Sequence, residues 1–400
     1  MKIVQINGVC GQGSTGRIAQ SISEVASENS IENYIFYGIG TSEYPLAERI
    51  ESNLYLKLNI LKTRIFGKHG FYSQTATRRL LKRLDEIDPD IIHLHNIHGH
   101  YLNVKLLFNY IKKHNIKTIW TLHDCWAYTG HCAYYDFAKC DKWVTGCYNC
   151  SQKHAYPTSM IFDRSKSVYT QKKELFTGVN DLILVTPSEW LANDVRRSFL
   201  KDYPVKVINN GIDLKRFAVR DTSLKEKLGL SDKKIILGIC FELYDRKGGK
   251  YLVALSKLLQ PDEHIVILGL QTQEKLPENI TVLPKTNSVE ELAEIYSMAD
   301  VFANTTLEDN FPTVNIESLA CGTPIVTFDT GGSAEIIDET TGYKVEKGDV
   351  EAMYQKIKLI LEKDRNIYRE SCRNRAENLY SEKDKFNEYI ELYKNGFESR

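Results

Sequence analysis

Apolar residues in this chain fall into short β-branched runs, separated by longer stretches where they recur at helical spacing. The runs predict strands at Lys2 to Asn7, Asn33 to Tyr37, Ile91 to His95, Thr118 to Leu122 and Leu182 to Thr186. A second series follows at Lys233 to Cys240, His264 to Leu268, Thr281 to Leu283, Val301 to Asn304 and Pro324 to Phe328. Helical patterns lie between them, as at Gly16 to Glu28 and Val104 to Lys113. Strand and helix in alternation predict parallel sheets with right-handed crossovers, covered on both faces. Two series make an α/β chain of two Rossmann-like parallel-sheet domains, residues 1–205 and 206–375. The joint is expected near Tyr203 to Asp213, where YPVKVINNGID brings Pro and Asn-Gly turn residues. Beyond Asp349 the pattern is helical and charged, with 376–400 as the terminal segment.

A length of 400 residues agrees with two domains, each able to bury a core. No apolar run approaches the roughly 20 residues that cross a bilayer, and the first residues lack the pattern of a signal peptide. The expectation is a cytoplasmic protein. With 52 Lys and Arg against 52 Asp and Glu, a nucleic-acid partner is not expected. The zero sum hides an asymmetry: residues 1–180 hold 22 basic and 15 acidic residues, and the rest hold 30 and 37. Between 52 and 84, Lys57, Lys62, Arg64, Lys68, Arg78, Arg79, Lys82 and Arg83 occur without one acid, interleaved with apolar residues such as Leu58, Leu61 and Phe66. That stretch suits either an anionic membrane surface, making the protein peripheral on the inner face of the plasma membrane, or a helix with a solvated basic face.

The chemistry sits where strands end. The first strand runs into Gly8, Gly11, Gly13, Ser14, Thr15, Gly16 and Arg17, and a helix start of this kind favours a phosphate or carboxylate. A tight turn without ligand is the alternative, since the spacing is neither a dinucleotide fingerprint nor a P-loop. His123 and Asp124 follow the strand Thr118 to Leu122, at the rim where open α/β sheets bind ligands. In the second domain Asp245, Arg246, Lys247, Gly248 and Gly249 follow the first strand, and two cations beside two glycines suit a diphosphate. The stretch Asn304 to Gly332, NTTLEDNFPTVNIESLACGTPIVTFDTGG, carries Glu308 and Asp309 in a loop and Glu317 in the following helix, placing two carboxylates toward one ligand.

This last stretch resembles the acidic signature of the retaining glycosyltransferases of family 4, which have the GT-B fold. The likeness extends over nearly the whole chain: the glycine loop, His123-Asp124, Asn210 to Asp213, the Arg246-Lys247-Gly248 turn, and Gly331-Gly332 with Glu335. It implies two domains facing across a cleft, a nucleotide-diphosphate sugar held mainly by the second, and a glycan or lipid-linked saccharide acceptor on the first. It also implies that the last helix, near Glu377 to Phe397, crosses back to the first domain. Catalytic residues would be His123, Lys247 and Asp309 or Glu308. Donor contacts would come from Gly13, Ser14, Thr15, Gly16, Arg246, Lys247, Asn310, Phe311, Pro312, Thr313 and Glu317, the last on the ribose. Two departures stand out. The family's first Glu is Asp309 here, with Glu308 beside it, and the Arg that many relatives place before the Lys is replaced by Phe241 and Glu242.

The resemblance implies departure of the sugar through an oxocarbenium-like state, with attack from the same face and no catalytic metal or other cofactor. Lys247, Arg246 and the glycine-loop amides would stabilise charge on the leaving phosphate. The expected role is synthesis of a bacterial surface polysaccharide such as capsule, O-antigen or exopolysaccharide; a non-catalytic nucleotide-binding or regulatory module is the alternative. A phosphorylase-like enzyme would share the fold but needs pyridoxal phosphate and a longer chain. Five of nine cysteines fall between 125 and 150. Cys132, Cys140, Cys147 and Cys150 end in C-x-x-C, which suits a structural zinc, with free thiols or disulfides as alternatives.

Overall fold

The structure is a computed structural model that describes every residue except 287 and 398–400, so the last three positions of the terminal segment 376–400 lie outside the described residues. The chain divides into two compact units, Met1–Asn209 with the residues from Lys385 on, and Asn210–Asp384.

The first unit holds a seven-stranded parallel sheet of β1 (Lys2–Asn7), β2 (Glu32–Tyr37), β3 (Ala47–Arg49), β4 (Ile91–Leu94), β5 (Lys117–Thr121), β6 (Leu182–Thr186) and β7 (Val205–Val207), in the order β3-β2-β1-β4-β5-β6-β7. Its central strands are buried apart from the first residues of β1 and β5, LILVT of β6 along its whole length, because helices cover both faces and leave no polar side to alternate with. The second unit holds a six-stranded parallel sheet of β8 (Lys234–Ile239), β9 (Glu263–Leu268), β10 (Ile280–Leu283), β11 (Val301–Asn304), β12 (Ile325–Phe328) and β13 (Gly342–Val345), in the order β10-β9-β8-β11-β12-β13.

Each sheet has one switch point. The chain leaves β1 toward β2 and returns to β4 on its other side; it does the same from β8, with β9 on one side and β11 on the other. Loops that follow the two strands at such a point diverge and open a crevice at their carboxyl ends. In the first unit these are the loops after Asn7 and Leu94, and in the second those after Ile239 and Asn304.

Three helices close the chain: Val350–Leu361, capped by Asp349 accepting from the Ala352 N–H, then Arg365–Leu379 and Glu382–Asn395. The last of them contributes Phe386, Tyr389, Ile390, Leu392 and Tyr393 to a core shared with Ile3, Ile18, Ile22 and Ile119 of the first unit. The sequence pattern gave no sign of β3, β7 or β13. The segment read as a pure joint carries β7, whose Val205 pairs with Leu184 of β6.

The basic stretch 52–84 divides in two. Asn53–Phe66 is a surface helix, whereas Gln74–Ile87 turns Ala76, Leu80, Leu84 and Ile87 into the core. Among the described residues no helix is long and apolar enough to cross a membrane.

Candidate functional site

The second unit gathers its expected residues at the switch point. β8 and β11 are hydrogen-bonded neighbours, so the loops after them emerge side by side although the residues stand some sixty positions apart. Lys247 Nζ forms an ion pair with Asp309 Oδ2 at 2.6 Å. Arg246 Nη1 donates to the Glu308 carbonyl at 2.9 Å, and the Leu307 N–H donates to the Arg246 carbonyl at 2.8 Å. The two loops are thus stitched through backbone and side chain. Two glycines make the approach possible. A Cβ at Gly248 would stand 2.1 Å from the Thr305 carbonyl oxygen, and one at Gly331 1.8 Å from that of Asp309; both residues have positive φ.

The carboxylates occupy different environments. Asp309 is partly exposed at the loop surface beside Lys247, while Glu308 is buried. Glu317 lies on the helix Thr313–Ala320 and accepts from the Tyr296 hydroxyl at 3.0 Å. Burial raises the Tyr296 phenol well above its usual range, with the Glu317 charge adding to it, so Tyr296 is the donor. Pro312 opens that helix, and Asn315 inside it spans from Asn304 to Ser333, accepting from the first at 2.7 Å and donating to the second at 3.1 Å. Asn310 and Phe311 are buried in the same loop, and Thr313 starts the helix.

In the first unit Gly13, Ser14, Thr15 and Gly16 form the first turn of the helix Gly13–Glu28, so their N–H groups are the unpaired ones of a helix start. The loop is closed by the Gly11 N–H donating to the Gly16 carbonyl at 3.0 Å, and Asn7 Nδ2 donates to the carbonyls of Val9 and Thr15. Beside it opens a polar cavity of about 480 Å³, lined by Gln12, Gln20, Thr41, Ser42, Glu43 and Tyr44 among others. His123 stands at the end of β5 on the same rim, partly exposed among buried neighbours, and burial pushes its imidazole down to about 4. Next to it the buried His98 and Asp124 meet at 2.7 Å. Burial alone would raise the Asp124 carboxyl, but His98 and the Trp126 N–H hold it below the usual value.

Sequence reasoning missed the partners of these residues. His93, His95 and Gln5 stand behind His123, and Tyr296 stands behind Glu317. The alternation in IIHLH at Ile91 to His95 was a signal for the first two, since it puts both imidazoles on one face.

The four cysteines of the expected zinc site lie close together. Cys132, Cys140, Cys147 and Cys150 do line one cavity of about 20 Å³. Cys132 and Cys150 are hydrogen-bonded to each other, and Cys147 accepts from the Gly130 N–H at 3.1 Å. Among the described residues no three His, Cys, Asp or Glu side chains converge as metal ligands, and all nine cysteines are free thiols. The loop holding them is anchored by the buried Lys172, whose Nζ donates to the carbonyls of Trp126 and Thr129 at 2.6 and 3.1 Å and lies 3.4 Å from the centre of the Trp126 ring.

Comparison with known proteins gives a consistent result for both units. Residues 33–216 match the model of the family described as Glycosyltransferase Family 4, and residues 221–379 match that described as Glycosyl transferases group 1. WcaC of Escherichia coli K12, provisionally assigned as a colanic acid biosynthesis glycosyl transferase, is 25% identical over 421 residues, covering 99% of this chain and 100% of its own. An Escherichia coli enzyme named UDP-Gal:alpha-D-GlcNAc-diphosphoundecaprenol alpha-1,3-galactosyltransferase is 25% identical over 220 residues, which is 50% of this chain and 56% of that one. Among solved structures, Anabaena Alr3699/HepE in complex with UDP superposes with a TM-score of 0.70 at 13% identity, covering 98% of this chain and 100% of that one.

Proposed function

The chain belongs to the family 4, group 1 glycosyltransferases and has their two Rossmann-like domains, and from that premise we propose that it moves a sugar, with retention, from a nucleoside-diphosphate sugar to a lipid-linked saccharide. The product would be part of a bacterial surface polysaccharide. The observation that carries the reading is the Lys247 and Asp309 pair at the switch point of the second sheet, next to the Arg246 turn. A cation held by a carboxylate at the mouth of a crevice is poised to exchange that partner for a phosphate. WcaC and the galactosyltransferase support the polysaccharide role and the lipid-linked acceptor, and HepE supports UDP as a ligand of this fold.

In this reading the donor diphosphate takes Lys247 from Asp309, and Glu317, set by Tyr296, holds the ribose hydroxyls. As the bond from the anomeric carbon to the phosphate oxygen breaks, both electrons leave with the nucleoside diphosphate. Lys247 and Arg246 stabilise the growing negative charge. The acceptor hydroxyl attacks from the side that the diphosphate leaves and gives its proton to the departing phosphate. Asp309, released from Lys247, is the nearer carboxylate for a sugar hydroxyl, since Glu308 is buried. NMR of the product made from an α-configured donor tests retention: an α-linked glycoside is expected, and a β-linked one would refute the same-face step.

The work would take place on the cytoplasmic face of the membrane that carries the lipid-linked acceptor. On the helix Asn53–Phe66, Leu54, Tyr55, Leu58, Leu61 and Phe66 are exposed beside Lys57, Lys62 and Arg64. Phe66 stacks on Phe162 at 6.3 Å, which brings the exposed Met160, Ile161 and Phe162 to the same patch. Apolar side chains ringed by cations suit insertion into an anionic leaflet, whereas in the second half of the 52–84 stretch the apolar residues Ala76, Leu80 and Leu84 face the core and leave only the cations Arg78, Arg79 and Lys82 exposed. The double substitution Leu58→Glu, Leu61→Glu should lower binding to phosphatidylglycerol-containing vesicles at least about tenfold in a sedimentation assay. Unchanged binding would remove this surface from the account.

A further inference from the structure

We propose that Cys132, Cys140, Cys147 and Cys150 form a structural zinc site that ties down the long loop between β5 and the helix Ser165–Phe176, beside the rim of the first sheet. The site is independent of the transferase reading and stands without it.

The chain itself shows the need for a tie. From 122 to 164 the backbone forms no regular element except one turn of 3₁₀ helix, Lys142–Val144. Stretches beyond about 15 residues with no secondary structure of their own are uncommon in compact domains. This one nevertheless packs inward, with Trp126, Tyr128 and Trp143 fully buried. Where backbone ladders are few, a metal or a disulfide is the usual substitute.

The donors are gathered in one place. All four cysteines border a single cavity of about 20 Å³, together with His131. That volume holds roughly one water-sized sphere, so one ion fits and an iron–sulfur cluster does not. Cys132 and Cys150 are hydrogen-bonded to each other, and Cys147 is close enough to Cys132, Cys140 and Cys150 to feel their charge. Cys147 also accepts from the Gly130 N–H at 3.1 Å, the kind of outer bond that orients a thiolate ligand. His131 is buried, and its Nε2 has no hydrogen-bond partner among the described residues, which leaves an unmet ring nitrogen in the same wall. As the side chains stand, no three of these donors converge as ligands. Cys140, Cys147 and Cys150 are half-buried, so rotation about χ1 brings them inward without moving the core.

The charge around the cavity favours a zinc–thiolate set. Lys172 is fully buried, and its ammonium meets the carbonyls of Trp126 and Thr129 rather than a carboxylate. Burial drives its pKa well down, opposed by the proximity of Cys147, Cys132 and Asp124. Burial also pushes the Cys147 thiol up to about 11, so by itself it is a neutral thiol that offers the ammonium no charge. Zinc changes this. Each thiol gives its proton to solvent on binding, and four thiolates around one Zn²⁺ leave an excess of negative charge beside the buried lysine. Sulfur donors select zinc, whereas calcium and magnesium require oxygen. Disulfides would use the same sulfurs but supply Lys172 with no charge. With four protein ligands the ion has no open position, so its role is to hold the loop. Ala133, next to Cys132, accepts from the Cys125 N–H at 2.9 Å, and the Trp126 N–H holds Asp124 at 2.9 Å. Fixing Cys132 therefore fixes the backbone that carries Asp124.

Zinc content of the full chain, expressed with zinc in the medium and purified without chelator, tests the site by plasma mass spectrometry and X-ray absorption. About one zinc per chain is expected, in a shell made mainly of sulfur at about 2.3 Å. Less than about a tenth of a zinc per chain overturns the proposal, as does a shell of nitrogen and oxygen or a Cys132–Cys150 disulfide in its place. The double substitution Cys140→Ser, Cys147→Ser should lower the zinc content at least about tenfold, whereas Cys10→Ser, Cys321→Ser should leave it unchanged. Equal zinc in both variants overturns the ligand set. Cobalt keeps the test independent of how the variants fold: wild-type chain stripped by chelator and given Co²⁺ is expected to show the intense visible absorption of tetrahedral cobalt thiolate, and a colourless protein overturns the site. Chelation should also lower the melting midpoint of the tryptophan emission by at least about 5 °C, and an unchanged midpoint overturns the structural role.

Discussion

Lys247→Ala is expected to lower kcat for sugar transfer by about 10²- to 10³-fold, the loss typical when a group aimed at developing charge is removed. The direction follows from where the charge appears. In the free protein Lys247 is compensated by Asp309 at 2.6 Å, so its removal costs the ground state little. In the transition state the diphosphate carries charge that Lys247, released from Asp309, meets as a point charge, beside Arg246, one of whose five N–H groups serves the Glu308 carbonyl. The effect should fall mainly on kcat, and Lys247→Arg should restore part of it, since a guanidinium keeps the charge but not the reach. Steady-state kinetics on both variants check this; a Lys247→Ala enzyme with wild-type kcat would remove the lysine from the mechanism.

The first unit is expected to unfold in mild acid well before the second. Nine of the ten histidines lie in residues 1–209, and the fold keeps several of them neutral. Burial holds His93 down to about 3 and His100, His123 and His131 to about 4, and it places His69 and His95 well below the usual 6.5. Each of these has a folded-state pKa below its unfolded value. Between about 6.5 and 4 the unfolded chain therefore binds more protons, and stability falls as pH falls. Each fully buried histidine contributes about 1.4 kcal/mol per pH unit in that window. Of these six, the four that are buried, His69, His93, His95 and His131, together give about 5 kcal/mol per unit, comparable to the whole stability of a domain. Asp194 works the other way: burial raises its carboxyl to about 6, so protonating it favours the folded state, but it is one group against several. All four tryptophans, Trp120, Trp126, Trp143 and Trp190, lie in this unit, so their fluorescence reports it alone. A cooperative emission change near pH 5 is expected, with part of the helical circular dichroism retained. Emission unchanged down to pH 4 would contradict the neutral-histidine account.

Much of this architecture was legible in the sequence. Strands such as KIVQIN at β1 and LILVT at β6 read directly, because a parallel strand buried on both faces is an unbroken apolar run. The edge strands β3, β7 and β13 are three or four residues long, too short to show a period, and are defined by what they pair with rather than by their own residues. Arg246, Lys247, Glu308, Asp309 and Glu317 were visible as loop chemistry at strand ends. Their meeting depends on β8 lying beside β11, a fact of strand order that local pattern does not carry. The cysteine cluster was legible as a group only. Spacing placed four cysteines together, and they do line one small cavity, but the Cys132–Cys150 contact and the Gly130 N–H on Cys147 depend on how the loop folds, which spacing does not carry. The hydrogen bonds joining Gln5, His95 and His123 were hidden because these residues lie in β1 and just after β4 and β5, and only the order β1-β4-β5 aligns them.

The most direct test of the central claim is release of nucleoside diphosphate by the full chain, supplied in turn with UDP-, GDP-, ADP- and TDP-sugars and with undecaprenyl-diphosphate-linked saccharide as acceptor. One donor is expected to be turned over, with release that depends on acceptor and is lost in Lys247→Ala. If no donor is turned over and none shifts the melting of the protein, the turn at Arg246 and Lys247 does not hold a nucleotide-diphosphate sugar, and the account is contradicted at its centre.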